Sequence, residues 1–222
     1  MQRSARQRRL RRRILLGIGT GAVVAVCAAF FLTAYLVSTS WWNQDAPAPS
    51  TQQQAPDGTS MLDQSGVDYF TRTGTARIRI GEGALPADQV GLEPDDVRTI
   101  RPIAPIVVIV QAPEGEFRLG QVSALTVETS GDRVVRVGVV PGSSGAWPWI
   151  IAGLEHAAPS WGWTEADLAD LRSRIAAGTA DAGVTVESLP SVEHLGARAS
   201  ATVRIDVDTP STTVEYSVAA LG

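Results

Sequence analysis

The chain has 222 residues with 19 basic side chains, every one an arginine, against 23 acidic ones and a single cysteine. One cysteine excludes an intramolecular disulfide framework, and its position at 27 leaves the rest of the chain without a thiol for metal or nucleophilic chemistry. Seven arginines fall in the first thirteen positions, so the remainder carries 12 Arg against 23 acids, a formal charge of −11 that argues against nucleic acid or the anionic membrane surface as its partner.

Arg3, Arg6, Arg8, Arg9, Arg11, Arg12 and Arg13 make residues 1–13 a basic tail, and Ile14 to Val37 then runs twenty-four residues without a charge. At about 1.5 Å per residue that run spans roughly 36 Å, against a hydrocarbon core of about 30 Å. Residues 14–37 are therefore expected to form a transmembrane helix whose partner is the lipid bilayer. The arginines hold the N-terminus in the cytoplasm and place everything after Trp41 outside. Trp41, Trp42 and Tyr35 suit the outer headgroup depth, where amphipathic rings collect. The run exceeds the apolar core of a cleaved signal, about 7 to 15 residues, and Ser38-Thr39-Ser40 is a poor cleavage site, so the segment reads as an uncleaved signal anchor. Val26 before a mid-span Cys27 speaks against a lipoprotein, and the length speaks against a twin-arginine export signal built on Arg12-Arg13. Gly17, Gly21, Ala25 and Ala29 recur every fourth residue, a smooth face through which two such helices can associate.

Residues 38–65 are rich in Pro, Gln and Ser, with few apolar side chains to bury, and are expected to be a disordered linker. A flexible tether of that size sets a domain about 25 Å from its anchor. Residues 66–222 are expected to be one extracytoplasmic domain, long enough to bury its own core. Arg77-Ile78-Arg79-Ile80 alternates as a half-buried strand does, and Ile106–Val110 is apolar throughout, as a strand covered on both faces is. Leu85–Pro105 reads as loop, with a short helical turn at Glu93–Val97. Leu125–Thr129 and Arg133–Val140 flank the turn residues Ser130-Gly131-Asp132, which predicts a hairpin.

The period then changes. Ile150, Ile151 and Leu154 predict a short helix from Trp147 to Ala157, closed by Pro159. Thr164-Glu165-Ala166-Asp167 resembles a capping box, and Leu168, Leu171 and Ile175 mark one face of a second helix with an Asp170–Arg174 pair at i,i+4. Val184–Ser188, Ala199–Asp208 and Thr213–Ala219 read as strands, with Val203, Ile205 and Val207, then Val214, Tyr216 and Val218, facing inward. The class is α+β: a mainly antiparallel sheet packed by two helices.

Chemical signals are sparse. His156 and His194 belong to no zinc-binding spacing, Gly142-Ser143-Ser144-Gly145 is not a nucleophile elbow, and Gly81-x-Gly83 lacks the rest of a phosphate loop, so no cofactor, metal site or catalytic residue is assigned. Asp206 and Asp208 share a strand face that Glu215 can join across the hairpin, a weak calcium arrangement that more often marks a solvated face. The sharpest feature is Trp147, Trp149, Trp161 and Trp163 within seventeen residues. Exposed, these rings stack on sugars or anchor a partner; buried, they cement helices onto the sheet. Arginine for every basic residue, with abundant Ala, Gly and Val, suggests a GC-rich bacterial genome. The resulting expectation is a single-pass protein of the bacterial cell envelope whose outer domain is an interaction or assembly module for an envelope protein. The alternatives are a ligand-binding module built on the four tryptophans, or a carboxylate-based envelope hydrolase.

Overall fold

The structure, a computed structural model, describes residue 33 and residues 48–142, 145–178, 183–208 and 211–221. The basic tail, the span expected over 14–37 and its face at Gly17, Gly21, Ala25 and Ala29 lie outside the described residues, Thr33 apart. Among the described residues no helix is long and apolar enough to cross a membrane.

From Ser50 onward the disordered-linker reading does not hold, because residues 49–222 belong to one compact unit. Gln53 N and Gln54 N donate to Ser50 O at 2.9 and 3.0 Å, and Gln54 bridges Ser60 in antiparallel fashion. Asp57 fixes the intervening turn by accepting from Thr59 N and Oγ1, both at 3.0 Å, and pairs with Arg79 at 3.3 Å. The segment lies along β1 (Thr75–Arg79): Ser60 N donates to Arg77 O at 2.8 Å and Arg77 N donates to Ser60 Oγ at 2.9 Å. These polar residues are therefore no solvated filler. They satisfy backbone groups along β1 that a bare sheet edge would leave open. Leu62, the one large aliphatic side chain here, is 1% exposed.

A helix that the sequence pattern did not announce follows, α1 (Gln64–Thr73). Asp63 caps it by accepting from Gly66 N at 2.9 Å, Gly74 ends it in the left-handed conformation, and Phe70 carries it into the core. The described residues thus hold three α-helices where two were expected.

The remaining strands are β2 (Val97–Ile100), β3 (Ile106–Ala112), β4 (Gly115–Ser130), β5 (Arg133–Pro141), β6 (Val184–Ser188), β7 (Val192–His194), β8 (Ala197–Asp206) and β9 (Ser211–Ala220). They form one sheet in the order β1-β3-β4-β5-β9-β8-β6, with β2 also paired to β4 and β7 to β8. Only β1 and β3 run parallel; every other pairing is antiparallel. The expected hairpin is the β4–β5 turn, where Gly131 takes φ 58°. Leu85–Pro105, read as loop, contributes a 3-10 turn at Asp88–Val90 and β2, while Glu93–Asp96 forms no helix.

Strand β8 shows why one sheet face is apolar. Ala197, Ala199, Ala201, Val203 and Ile205 are buried, whereas Arg198 and Arg204 point the other way into solvent. Val214, Tyr216 and Val218 of β9 are buried as expected, but Val207 is 44% exposed because β8 stops at Asp206. Against this face pack α2 (Trp147–Trp161), which meets β9, and α3 (Glu165–Gly178), which meets β6. The helix expected to close at Pro159 instead runs through it to Trp161, and Gly162 caps it with φ 81°. Leu154, Ala158 and Trp161 sit one turn apart on its buried face, and burying the Trp161 indole offsets the hydrogen bond that proline cannot donate in the last turn. The box that opens α3 is reciprocal: Thr164 N and Oγ1 donate to Asp167 Oδ2 at 2.8 and 2.7 Å, and Asp167 N donates to Thr164 Oγ1 at 3.3 Å. Arg174 pairs with Asp170 at 2.9 Å, as its i,i+4 spacing predicts, and also with Glu187 of β6; Arg172 pairs with Glu155 of α2.

Candidate functional site

The four tryptophans do not act as one cluster. Trp161 and Trp163 are 2% and 4% exposed and stack at 5.5 Å with planes 10° apart; Trp161 also meets Phe117 and Tyr216 at 5.1 and 4.9 Å. Trp163 Nε1 donates to Pro190 O at 3.1 Å, so its polar edge is satisfied inside the fold. These two rings hold the helix pair to the sheet. Trp147 is half-buried against the core, while Trp149, two residues on and so on the other side of the helix, is 79% exposed.

Trp149 stands at the rim of a groove of about 460 Å³ between α2 and β4. Its helical wall is spaced by the helix itself: Trp149, Gly153, His156 and Ser160 fall at i, i+4, i+7 and i+11, and Ile150 and Ala157 lie deeper on the same side. Gly153 keeps the middle of this wall low, since a Cβ there would have nothing within 4 Å. The opposite wall is Arg118, Leu119, Gly120 and Gln121 of β4 with Pro141, and the floor is Val214, Tyr216 and Trp161.

The β4 wall is bent on purpose. Ile106 pairs with Val122 but Val108 pairs with Leu119, so Gly120 and Gln121 of β4 stand opposite Val107 alone and the strand carries one extra residue. Gln121 adopts φ 56°, a left-handed conformation costly for a residue with a side chain, and its carbonyl accepts from Gly142 N at 2.5 Å. That bulge turns the Gln121 amide and the Arg118 guanidinium to the groove side, where both line it. At the floor, burial pushes the Tyr216 phenol up to about 12, so it stays a neutral donor at every physiological pH.

The chemistry on offer is recognition. Trp149 gives a flat apolar face, and Arg118, Gln121, His156, Ser160 and Tyr216 give hydrogen-bonding groups around it. Among the described residues the lining holds no carboxylate, and so none of the paired acids that a carboxylate hydrolase requires. Among the described residues the three acids near the β8–β9 turn do not converge either. Glu215 pairs with Thr202, whereas Asp206 pairs with Ser211 and accepts from Asp208 N at 3.1 Å in the turn beyond. Among the described residues no group of three or more His, Cys, Asp or Glu side chains converges as a metal would need. His194, the other histidine, packs edge-on against Phe117 at 6.0 Å and leaves the groove to His156.

Of the four tryptophans, then, Trp149 and Trp161 line the groove, and Trp147 and Trp163 do not. Sequence reasoning missed Arg118, Gln121, His156, Ser160 and Tyr216. The glycine inside a long strand pattern, Leu119-Gly120-Gln121, was the available signal for a bulge. Compared with known proteins, the chain matches no family model, no curated protein and no solved structure.

Proposed function

We propose that this chain is a single-pass protein of the bacterial cell envelope, anchored through residues 14–37 with its N-terminus in the cytoplasm. Its extracytoplasmic α+β domain is an interaction or assembly module that grips an envelope protein through the groove beside α2. The observation that carries the anchor is the pairing of seven arginines with the twenty-four uncharged residues from Ile14 to Val37. The groove reading is supported by Trp149, which is 79% exposed beside convergent polar groups. A large rigid ring left in water is costly to keep without a partner and cheap to place against one.

In-cell crosslinking of the full-length chain tests both halves. Partners captured equally when residues 14–37 are replaced by an unrelated spanning helix belong to the outer domain, and Trp149→Ala with Arg118→Ala should remove them. Partners lost with the native anchor would assign the association to Gly17, Gly21, Ala25 and Ala29 instead. Reporter fusions at the two termini should report the first inside and the second outside; both inside would end the anchor reading. A second reading, favoured by the same exposed ring, is a small-molecule site for a flat-faced polyol such as a sugar. Titration of cell-wall fragments should then quench and shift Trp149 fluorescence in the wild-type chain and leave the Trp149→Phe chain unchanged.

A further inference from the structure

A second cleft, about 610 Å³, opens between α1 and the connection from β2 to β3, and it shares no residue with the Trp149 groove. Its walls carry three guanidinium groups, Arg72 from α1, Arg98 from β2 and Arg101 from the connection, against the single carboxylate of Asp68. Asp68 accepts from Gln64 Nε2 at 2.9 Å. Arg98 donates to Gly91 O at 3.0 Å, and the Arg72 guanidinium stands 6.0 Å from the Tyr69 ring centre, which hold two of the three cations in place. Beside them is Ile103, 99% exposed, in the stretch Arg101-Pro102-Ile103-Ala104-Pro105 where two prolines stiffen the backbone. A chain whose sequence beyond residue 13 has a formal charge of −11 therefore gathers positive charge and one bare aliphatic side chain on a single face.

We propose that this face seats the domain on the bilayer surface, with the arginines on anionic phosphate headgroups and Ile103 among them. The proposal rests on the anchor reading of residues 14–37. Guanidinium is the side chain whose planar fork matches phosphate, and basic charge beside an exposed apolar residue is the chemistry of an interfacial contact. The tether permits it. Only residues 38–48 separate the span from the folded unit, and eleven residues reach at most roughly 40 Å. A unit of that size has a radius of gyration of roughly 16 Å, so a tether of that reach leaves most of its surface free to turn toward the bilayer. The acidic remainder is repelled by anionic lipid within a Debye length of about 8 to 10 Å, so the arginine face alone settles and the domain acquires one orientation. A free phosphate would leave the exposure of Ile103 without a purpose, which favours the membrane over a soluble anion.

The test uses the full-length chain with Cys27→Ala and Ile103→Cys, labelled with an environment-sensitive fluorophore and reconstituted into vesicles. One set is zwitterionic phosphatidylcholine; the other also contains phosphatidylglycerol. A matched label at Val186→Cys, on β6, is the control. The expected result is a blue shift and quenching by lipid-borne spin labels at position 103 only, in the anionic vesicles only, lost on Arg98→Glu with Arg101→Glu and weakened by salt. Equal emission in both vesicle types, or equal behaviour at 103 and 186, overturns the proposal. A chain that floats with the vesicles while its 103 label stays in water sinks this proposal alone. A chain that does not float with them sinks the anchor reading as well.

Discussion

The indole of Trp161 lies over that of Trp163 with 5.5 Å between ring centres and 10° between planes, and the pair is wedged against Tyr216. Two rings from opposite sides of the Gly162 turn thereby lock α2 and the start of α3 onto β9. Removing one is a large-to-small core change: Trp161→Ala should cost about 3 to 5 kcal/mol, read as a lowered urea midpoint. Trp149→Ala, on the same helix but in water, should stay within about 0.5 kcal/mol of wild type while abolishing groove binding. Equal destabilisation by both would show that the groove ring is structural.

Two glycines in helices should respond oppositely to alanine. At Gly153 a Cβ meets nothing within 4 Å, so Gly153→Ala should stabilise α2 by about 0.5 to 1 kcal/mol. At Gly66 a Cβ would overlap the carbonyl of Met61, which is backbone and cannot swing aside. Gly66→Ala should therefore destabilise despite its better helix propensity, and thermal melts of the two variants with wild type decide the point.

The cap of α3 carries an acid-side pH dependence. Hydrogen bonds from the Thr164 backbone and then its hydroxyl hold the Asp167 carboxyl below its ordinary value of 3.8. A carboxyl depressed by folding adds stability above its unfolded pKa and loses it as pH falls through the lower, folded one. Unfolding free energy measured downward from pH 5 should fall less steeply in Asp167→Asn than in wild type, and Asp167→Ala should cost about 1 kcal/mol at neutral pH.

Tyr216 sets the alkaline counterpart. Burial raises its phenol to about 12, so the folded chain holds that proton while an unfolded tyrosine releases it near 10. Stability is then complete below pH 10 and is lost as pH rises toward 12. Absorbance titration should show a late tyrosinate phase that is missing in Tyr216→Phe.

What the sequence disclosed followed how local each signal was. The α3 cap is readable because Thr164 and Asp167 are three residues apart and need nothing else, and the β4–β5 turn because Ser130-Gly131-Asp132 has few alternatives. Alternation in β8 and β9 exposed their buried sides, up to Val207, where it fails because the strand ends at Asp206, two residues before the expected Asp208. Segment 50–62 was opaque because its polar residues are satisfied by Arg77 and Arg79, which lie beyond it in the chain. Pro159 misled for a similar reason, since the Trp161 burial that outweighs it depends on Phe117 and Tyr216. The groove needs α2, β4 and β9 together, and no window of residues contains all three.

The segment lying along β1 has a mechanical meaning once the anchor is granted. A chain pulled from its membrane end transmits load first to Gln54, Ser60 and their bonds to one another and to Arg77, and only afterwards to the core. Peeling residues 50–60 would lengthen the leash by roughly 35 to 40 Å and bare a strand edge ready to pair with another chain. Reach and adhesiveness would then rise together under tension, making this short polar stretch a fuse between a pull on the chain and the domain's hold on its surroundings.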